Sequence, residues 1–329
     1  MSSAFIILQQ MLVLFGMMLV GYFCYKIDWI DDHTYGKLSK IVVNILNPLL
    51  VIDGVLGKNI GEDLNKLGIN FGMMVIYFIF LVIISIPVVK IVHPEKKNIE
   101  LYRLMMIFSN VGFMGIPVIS ALYGSGVIIY IVFYMLGYNF LLYTYGIILA
   151  KRSAQSNSQS CEKANEVNGK NDKNNTISFK DNIKSIMNPG VIAGILAIVL
   201  FVMNIQVASP VASFIKYLSQ CVVPLSMILI GASMAQHELK TIFNEIKMYW
   251  FLLIRLVIIP IAVALLVRQI PIDSQILGVF ILMLAMPVGS IVVLVAMEQG
   301  ADAGCCTKGS VVSTLFSIIT IPIIAMFLP

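Results

Sequence analysis

Charge is what this chain has least of. Asp, Glu, Lys and Arg make up 12% of its 329 residues, against roughly 25% in soluble domains. So little charge excludes a solvated globular surface. Catalytic signatures are missing too. There is no Walker-type glycine loop, no Gly-x-Ser-x-Gly elbow and no zinc spacing, which leaves ATP hydrolysis and intramembrane enzymology without residues. The five cysteines are Cys24, Cys161, Cys221, Cys305 and Cys306. Adjacent Cys305 and Cys306 make a poor disulfide or metal pattern, so reduced, inert thiols are expected. His33, His93 and His237 fall in polar loops, which removes a histidine proton relay. No cofactor and no metal is implied.

What is present is apolar sequence, 59% of the chain. It divides into segments of roughly 20 residues, the length a bilayer requires. Ten transmembrane helices are expected, at about 4–25, 38–56, 67–91, 103–122, 127–149, 188–203, 212–235, 247–267, 274–297 and 307–328. The first run is too long for a signal-peptide core and no small-residue cleavage site follows it. Residues 151–187 are rich in Ser, Asn and Lys and nearly free of aromatics. That composition cannot bury a core, and a flexible linker is expected. The chain therefore divides into a first unit at 1–150, a linker at 151–187 and a second unit at 188–329.

Lys and Arg set the orientation. With both termini outside and the linker in the cytoplasm, only Lys58, Lys66, Lys216 and Arg268 face outward, and Arg255 lies within a span. Five spans on each side of the linker force the halves into opposite orientations. Their landmarks recur. The second span of each half carries Pro48 or Pro224, 176 residues apart, and the fourth carries Pro117 or Pro287, 170 apart. Two landmarks at nearly one offset predict an inverted repeat. Interrupted spans at matching places in such halves point to a transport site between them.

The stretch 109–126, SNVGFMGIPVISALYGSG, is the least suited to a continuous helix. Asn110 is a polar amide at membrane depth, Gly112 and Gly115 weaken the helix, and Pro117 lacks an N–H and crowds the Phe113 carbonyl. The break is expected at Pro117, with Pro287, Gly289 and Ser290 forming its counterpart in AMPVGS (285–290). Irregular backbone survives at that depth only inside protein or beside a water-filled cavity.

SNVGFMGIP and LAMPVGS resemble the motifs of the auxin efflux carrier family, which includes plant PIN-type carriers and bacterial malonate or malate permeases. Asn110, Met114, Gly115, Ile116 and Pro117 match its helix 4 pattern, and Pro287 and Gly289 its second crossover. Asn47-Pro48 and Asn188-Pro189 are similar to further family positions. The resemblance spans essentially the whole chain. It implies an all-α membrane fold of two inverted five-helix repeats, like bile-acid symporters and sodium/proton antiporters, with helices 4 and 9 broken and crossing at the midplane. It also implies a scaffold of helices 1, 2, 6 and 7 that forms a homodimer, and a mobile transport unit of helices 3–5 and 8–10 working as an elevator. The linker is far shorter than the central loop of many plant members, so their phosphorylation control does not carry over.

A broken helix exposes unpaired N–H groups and a positive dipole end, which suit a carboxylate. The expected substrate site is Asn110, Gly112, Gly115, Pro117, Pro287, Gly289 and Ser290. Asp53 could serve a proton or cation, or reach interfacial water. Arg255 could pair with an anion in the cavity or snorkel past Trp250. Asn139, with Tyr138 and Tyr143, could line the cavity or pack. Gln220 and Ser226 flank Pro224, where helix–helix hydrogen bonding is the expectation. The function expected is secondary transport of a small organic anion such as a carboxylate or auxin-like acid, in the cell (inner) membrane. A proton- or sodium-coupled symporter or antiporter on the same fold is the nearest rival, and a channel or sensor the rival of another class. Paired carboxylates for proton exchange are absent from helices 4 and 9.

Overall fold

The structure is a computed structural model. It describes residues 3–56, 64–162, 189–203, 205, 207–236 and 245–329. The first span is α1 (Ser3–Lys26). The second joins α2 (Asp32–Ile41) to α3 (Asn47–Asp53) through the π-helical turn Val42–Leu46. Next come α4 (Leu64–Val92), α5 (Ile99–Ile107), the π turn Val111–Gly115 and α6 (Ile116–Tyr123). α7 (Ile128–Leu141) continues through the π turn Leu142–Gly146 into α8 (Ile147–Glu162). The second half holds α9 (Pro189–Val202), α10 (Ser209–Gln220) and α11 (Val222–Ala235). α12 (Ile246–Leu253) passes through the π turn Ile254–Ile258 into α13 (Ile259–Val267). α14 (Ser274–Ala285), α15 (Ile291–Glu298) and α16 (Ala303–Ala325) complete the chain.

Among the described residues, seven helical stretches are long and apolar enough to cross a membrane. Three shorter apolar helices, Val111–Tyr123, Ile192–Val202 and Ser274–Ala285, stand where the fourth, sixth and ninth spans are expected. For the fourth and ninth the reason is physical. Each span is split into two short pieces, α5 with the helix from Val111, and α14 with α15, so no single piece spans the apolar layer.

The structure differs from the sequence expectation at two boundaries in particular and in the role of the prolines. The second span begins at Asp32, not near residue 38. Asp31 caps it by accepting a 2.8 Å bond from the Thr34 N–H, and bonds from Thr34 hold the Asp31 carboxyl below the usual carboxylate range. The fifth span continues through the start of the expected linker to Glu162. Ser153 anchors that extension by donating 2.7 Å to the Lys97 carbonyl. The rest of the linker, 163–187, lies outside the described residues.

The third difference concerns the prolines. Pro48 and Pro117 do not break their helices. Each follows a π turn by two residues, as does Pro260. In a π turn the N–H bonds the carbonyl five residues back. The Asn47 N–H reaches Val42 O, the Ile259 N–H reaches Ile254 O, and the Gly115 N–H reaches Asn110 O at 3.1 Å. The extra residue widens the turn, which relieves the crowding a proline imposes on a regular α-helix.

Two helices meet backbone to backbone. A methyl added at Gly21 of α1 would lie 2.0 Å from Ile228 O, and one at Gly231 of α11 would lie 1.8 Å from Met18 O. Small residues permit this approach in lipid, where packing rather than apolar burial drives helix association.

Candidate functional site: a crossover of two broken helices

The break in the first half is at Phe108–Asn110. Phe108 leaves helical geometry at φ −102, ψ 94, and Asn110 sits at φ −79, ψ 64. The break in the second half begins at Met286, with ψ 143. The two unwound pieces cross and pair as a short antiparallel bridge between Ser109 and Val288. The Asn110 N–H donates to Pro287 O at 2.7 Å, and the Gly289 N–H donates to Phe108 O at 2.9 Å. Ser313 of α16 accepts from the Val288 N–H at 3.0 Å, and Ser310 donates to Val288 O at 3.3 Å. Backbone groups freed at membrane depth thus find partners inside the protein, as lipid demands. Gly289 is required by space. A methyl there would lie 2.9 Å from the Tyr138 hydroxyl and 3.1 Å from Ser109 O.

Arg255 holds the crossover from behind. It is 2% exposed and donates three bonds, Nε to Met105 O at 3.0 Å, one terminal nitrogen to Met286 O at 2.8 Å and the other to Ser109 Oγ at 2.9 Å. Met105 and Met286 lie at the C-terminal ends of α5 and α14, where carbonyls lack helical partners. Tyr77 of α4 caps the same ends, donating to Met283 O at 3.2 Å and lying 3.3 Å from Ser109 Oγ. The negative dipole ends are therefore matched by one guanidinium. Neither sequence reading of Arg255 describes this. It does not line the cavity, and it does not snorkel outward.

The positive ends face the other way. Asn110, Gly112, Gly289 and Ser290, at the starts of the second half-helices, line a cavity of about 720 Å³. Asn139 lines it as well, its amide nitrogen donating to Met135 O at 2.9 Å. From the crossover the cavity runs to the helix ends at Tyr25, Asp32, Pro189 and Gln236, the side on which α8 departs toward the linker. Among the described residues its one charged lining residue is Asp32, whose Oδ1 accepts from the Tyr25 hydroxyl at 2.8 Å and from Gln236 at 3.1 Å.

Other expected site residues lie off this cavity. Gly115 faces Met283, Pro117 is buried within α6, and Pro287 contributes its carbonyl to Asn110. Asp53 accepts a 2.6 Å bond from Ser219 of α10, which ties two helix ends together away from the crossover.

Asn110 is 5% exposed. Its Oδ1 accepts from the Phe113 N–H at 3.3 Å, capping the helix that follows, while its Nδ2 has no partner among the described residues. Two further lining residues carry unpartnered buried atoms, Asn47 Oδ1 and Ser226 Oγ. In the sequence Asn47 stands out only through the family resemblance of Asn47-Pro48, and Ser226 only as an expected helix–helix contact. A polar residue within an apolar run beside proline was the one signal available.

The chain matches the family described as Membrane transport protein over residues 6–325. It belongs to that family. The match covers nearly the whole chain and agrees with the auxin efflux carrier resemblance. It is also similar to an uncharacterized transporter of Methanothermobacter thermautotrophicus (strain Delta H), 21% identical over 311 residues, covering 87% of this chain and 95% of that protein. The protein is accordingly a multi-pass membrane transport protein.

Proposed function

We propose that the protein is a secondary carrier of a small organic anion, with a carboxylate as the recognised group. One observation carries the reading. Asn110, whose buried amide nitrogen is unpartnered, stands at the convergence of two helix starts and lines a cavity with no lysine or arginine among the described residues of its wall. Helix N-termini and a neutral amide attract an anion without a fixed countercharge that would trap it. The volume falls within the range of small-molecule sites, roughly 300–1,000 Å³. Asp32 belongs to the wider mouth, where Tyr25 and Gln236 already engage it.

Transport is by alternating access. Ten spans form two inverted five-helix repeats. The scaffold, built of the first, second, sixth and seventh spans, makes a homodimer, and the remaining spans move past it as an elevator. The termini lie outside, the linker lies in the cytoplasm, and the cavity opens inward. The recurrence of Pro48 with Pro224 and Pro117 with Pro287 supports the repeat, and the close Gly21–Gly231 contact suits a rigid scaffold.

Among rival readings, sodium coupling at the crossover is disfavoured by Arg255, which already occupies the carbonyls of Met105 and Met286. Proton exchange by a carboxylate pair is disfavoured because, among the described residues, no Asp or Glu lines the crossover end of the cavity.

Counterflow in proteoliposomes tests the carrier reading. Unlabelled carboxylate inside should accelerate entry of labelled carboxylate. Absence of trans-stimulation across a panel of small organic acids would overturn it and favour a channel or sensor.

A further inference from the structure

We infer that the groove between the eighth and tenth spans is a binding site for an anionic phospholipid, with an acyl chain in the groove and the phosphate beside Lys247. The groove has a volume of about 490 Å³ and is bounded by α12, the π turn Ile254–Ile258 and α16. It is separate from the crossover cavity and shares no lining residue with it.

Its shape follows from the sequence. Tyr249 of α12 meets Phe316 of α16 with ring centroids 5.9 Å apart, which closes the two helices on each other. One turn later on the same face of α16 stands Thr320, a far smaller residue, so the helices leave room there. Leu252 and Leu256 are buried beneath this space, while Ile246, Trp250, Leu253 and Phe316 stand exposed along it. The lining runs from Ile246 to Val257 along the span, about 16 Å at the helical rise per residue. Leu256 and Val257 belong to the π turn whose Arg255 reaches the crossover.

The chemistry of the groove is apolar along its length and polar at one end. No charged side chain stands among the described lining residues, and only Tyr249, Trp250 and Thr320 carry a polar side-chain atom. A long uncharged slot takes a hydrocarbon chain and refuses a charged solute. Trp250 is 58% exposed and lies one turn into α12, where a tryptophan marks the headgroup level of a bilayer. Lys247 is exposed three residues earlier on the same helix, and residues so spaced are neighbours on its surface. Among the described residues no carboxylate pairs with Lys247, whereas nearby Glu245 is already paired with Lys308 at 2.7 Å. An apolar slot that ends at an unpaired cation and an interfacial indole complements a phospholipid of net negative charge. A zwitterionic lipid fits less well, because its own ammonium meets Lys247. In the orientation proposed above, this end lies in the cytoplasmic leaflet, whose surface is anionic.

Tryptophan quenching tests this on the purified full-length protein. Trp29→Phe leaves Trp250 as the one tryptophan of the chain. Phosphatidylglycerol and phosphatidylcholine, each brominated on the acyl chain, are titrated into that protein in detergent. Phosphatidylglycerol should quench Trp250 saturably, at a concentration at least about fivefold lower than phosphatidylcholine, the preference that one lysine supplies near an anionic headgroup. Lys247→Gln should bring the two lipids within about twofold by removing that contact. Thr320→Phe fills the groove and should raise the half-saturating phosphatidylglycerol concentration about tenfold, as losing roughly two buried methylenes would. Leu253→Phe takes its place if that variant fails to fold. Equal quenching by both lipids would mean bulk solvation of the surface and would overturn the site. So would a preference unchanged in Lys247→Gln, or quenching undiminished when the groove is filled. Protection of Trp250 from both lipids would overturn it as well, by showing that a second copy or another protein covers this face.

Discussion

Arg255 donates to Ser109 Oγ at 2.9 Å, tying the π turn of the eighth span to the unwound turn of the fourth. The same guanidinium reaches Met286 O at 2.8 Å, so one side chain holds both broken spans. Removing it leaves the Met105 and Met286 carbonyls and the Ser109 hydroxyl short of a donor inside the bilayer. At about 1–3 kcal/mol for each orphaned group, Arg255→Leu should destabilise the protein by several kcal/mol. The loss should appear as a lower midpoint in thermal unfolding of the purified protein. Arg255→Lys should recover part of it, since a lysine ammonium cannot reproduce the planar fork. An unchanged midpoint for Arg255→Leu would mean that the carbonyls find other partners.

The same contacts bear on coupling. A cation bound at the crossover would need carbonyl oxygens, and Arg255 holds those of Met105 and Met286. Replacing sodium by N-methylglucamine on both sides of a proteoliposome should leave the counterflow rate unchanged. A fall of tenfold or more would place a sodium ion elsewhere in the transport cycle and revive the symporter reading.

Asn110 divides its amide between two tasks, and two substitutions separate them. Its oxygen caps the Phe113 N–H, while its nitrogen is buried without a partner among the described residues. Asn110→Ala removes both, with a capping loss of about 1 kcal/mol. Asn110→Asp keeps an acceptor for the cap and replaces the free donor with negative charge. Asn110→Asp should therefore fold, and should cut anion counterflow to background. Transport at the wild-type rate by Asn110→Asp would show that Nδ2 does not touch the substrate.

Pro117 shows where sequence reasoning stopped. A proline beside glycines in an apolar run reads as a break, yet the helix there is intact and the break lies at Phe108–Asn110. The π turn before Pro117 absorbs the proline, and nothing in residue type announces a π turn. The Asn110 amide was legible because an amide at membrane depth is costly wherever it stands. The partners of Arg255 were not, since Met105 is 150 residues away and depends on two spans crossing. The Asn47 oxygen was not, because its isolation depends on side-chain placement that no spacing encodes. Pro117→Ala should consequently change little. Affinity for the transported anion should stay within about threefold, because the helix start at Val111 is unaltered. A large loss of affinity would return the hinge to Pro117.

Glycines on α1 provide a paired test of the α1–α11 contact, because Gly16 and Gly21 share one helix and differ in surroundings. A methyl at Gly16 would meet nothing within 4 Å, whereas one at Gly21 would sit 2.0 Å from Ile228 O. That obstacle is backbone, so it cannot rotate aside as a side-chain tip would. Gly16→Ala should be neutral or slightly stabilising, since alanine favours a helix over glycine by roughly 0.5–1 kcal/mol. Gly21→Ala must push two helices apart along their tightest contact. Overpacking of this kind typically costs about 1–3 kcal/mol, and a backbone obstacle belongs at the upper end. Gly231→Ala on the partner helix should match it, being 1.8 Å from Met18 O. Thermal unfolding of the three purified variants orders them directly. If Gly21→Ala and Gly231→Ala melted with the wild type, α1 and α11 would not be in backbone contact, and the rigid scaffold against which the crossover is proposed to move would lose its main support.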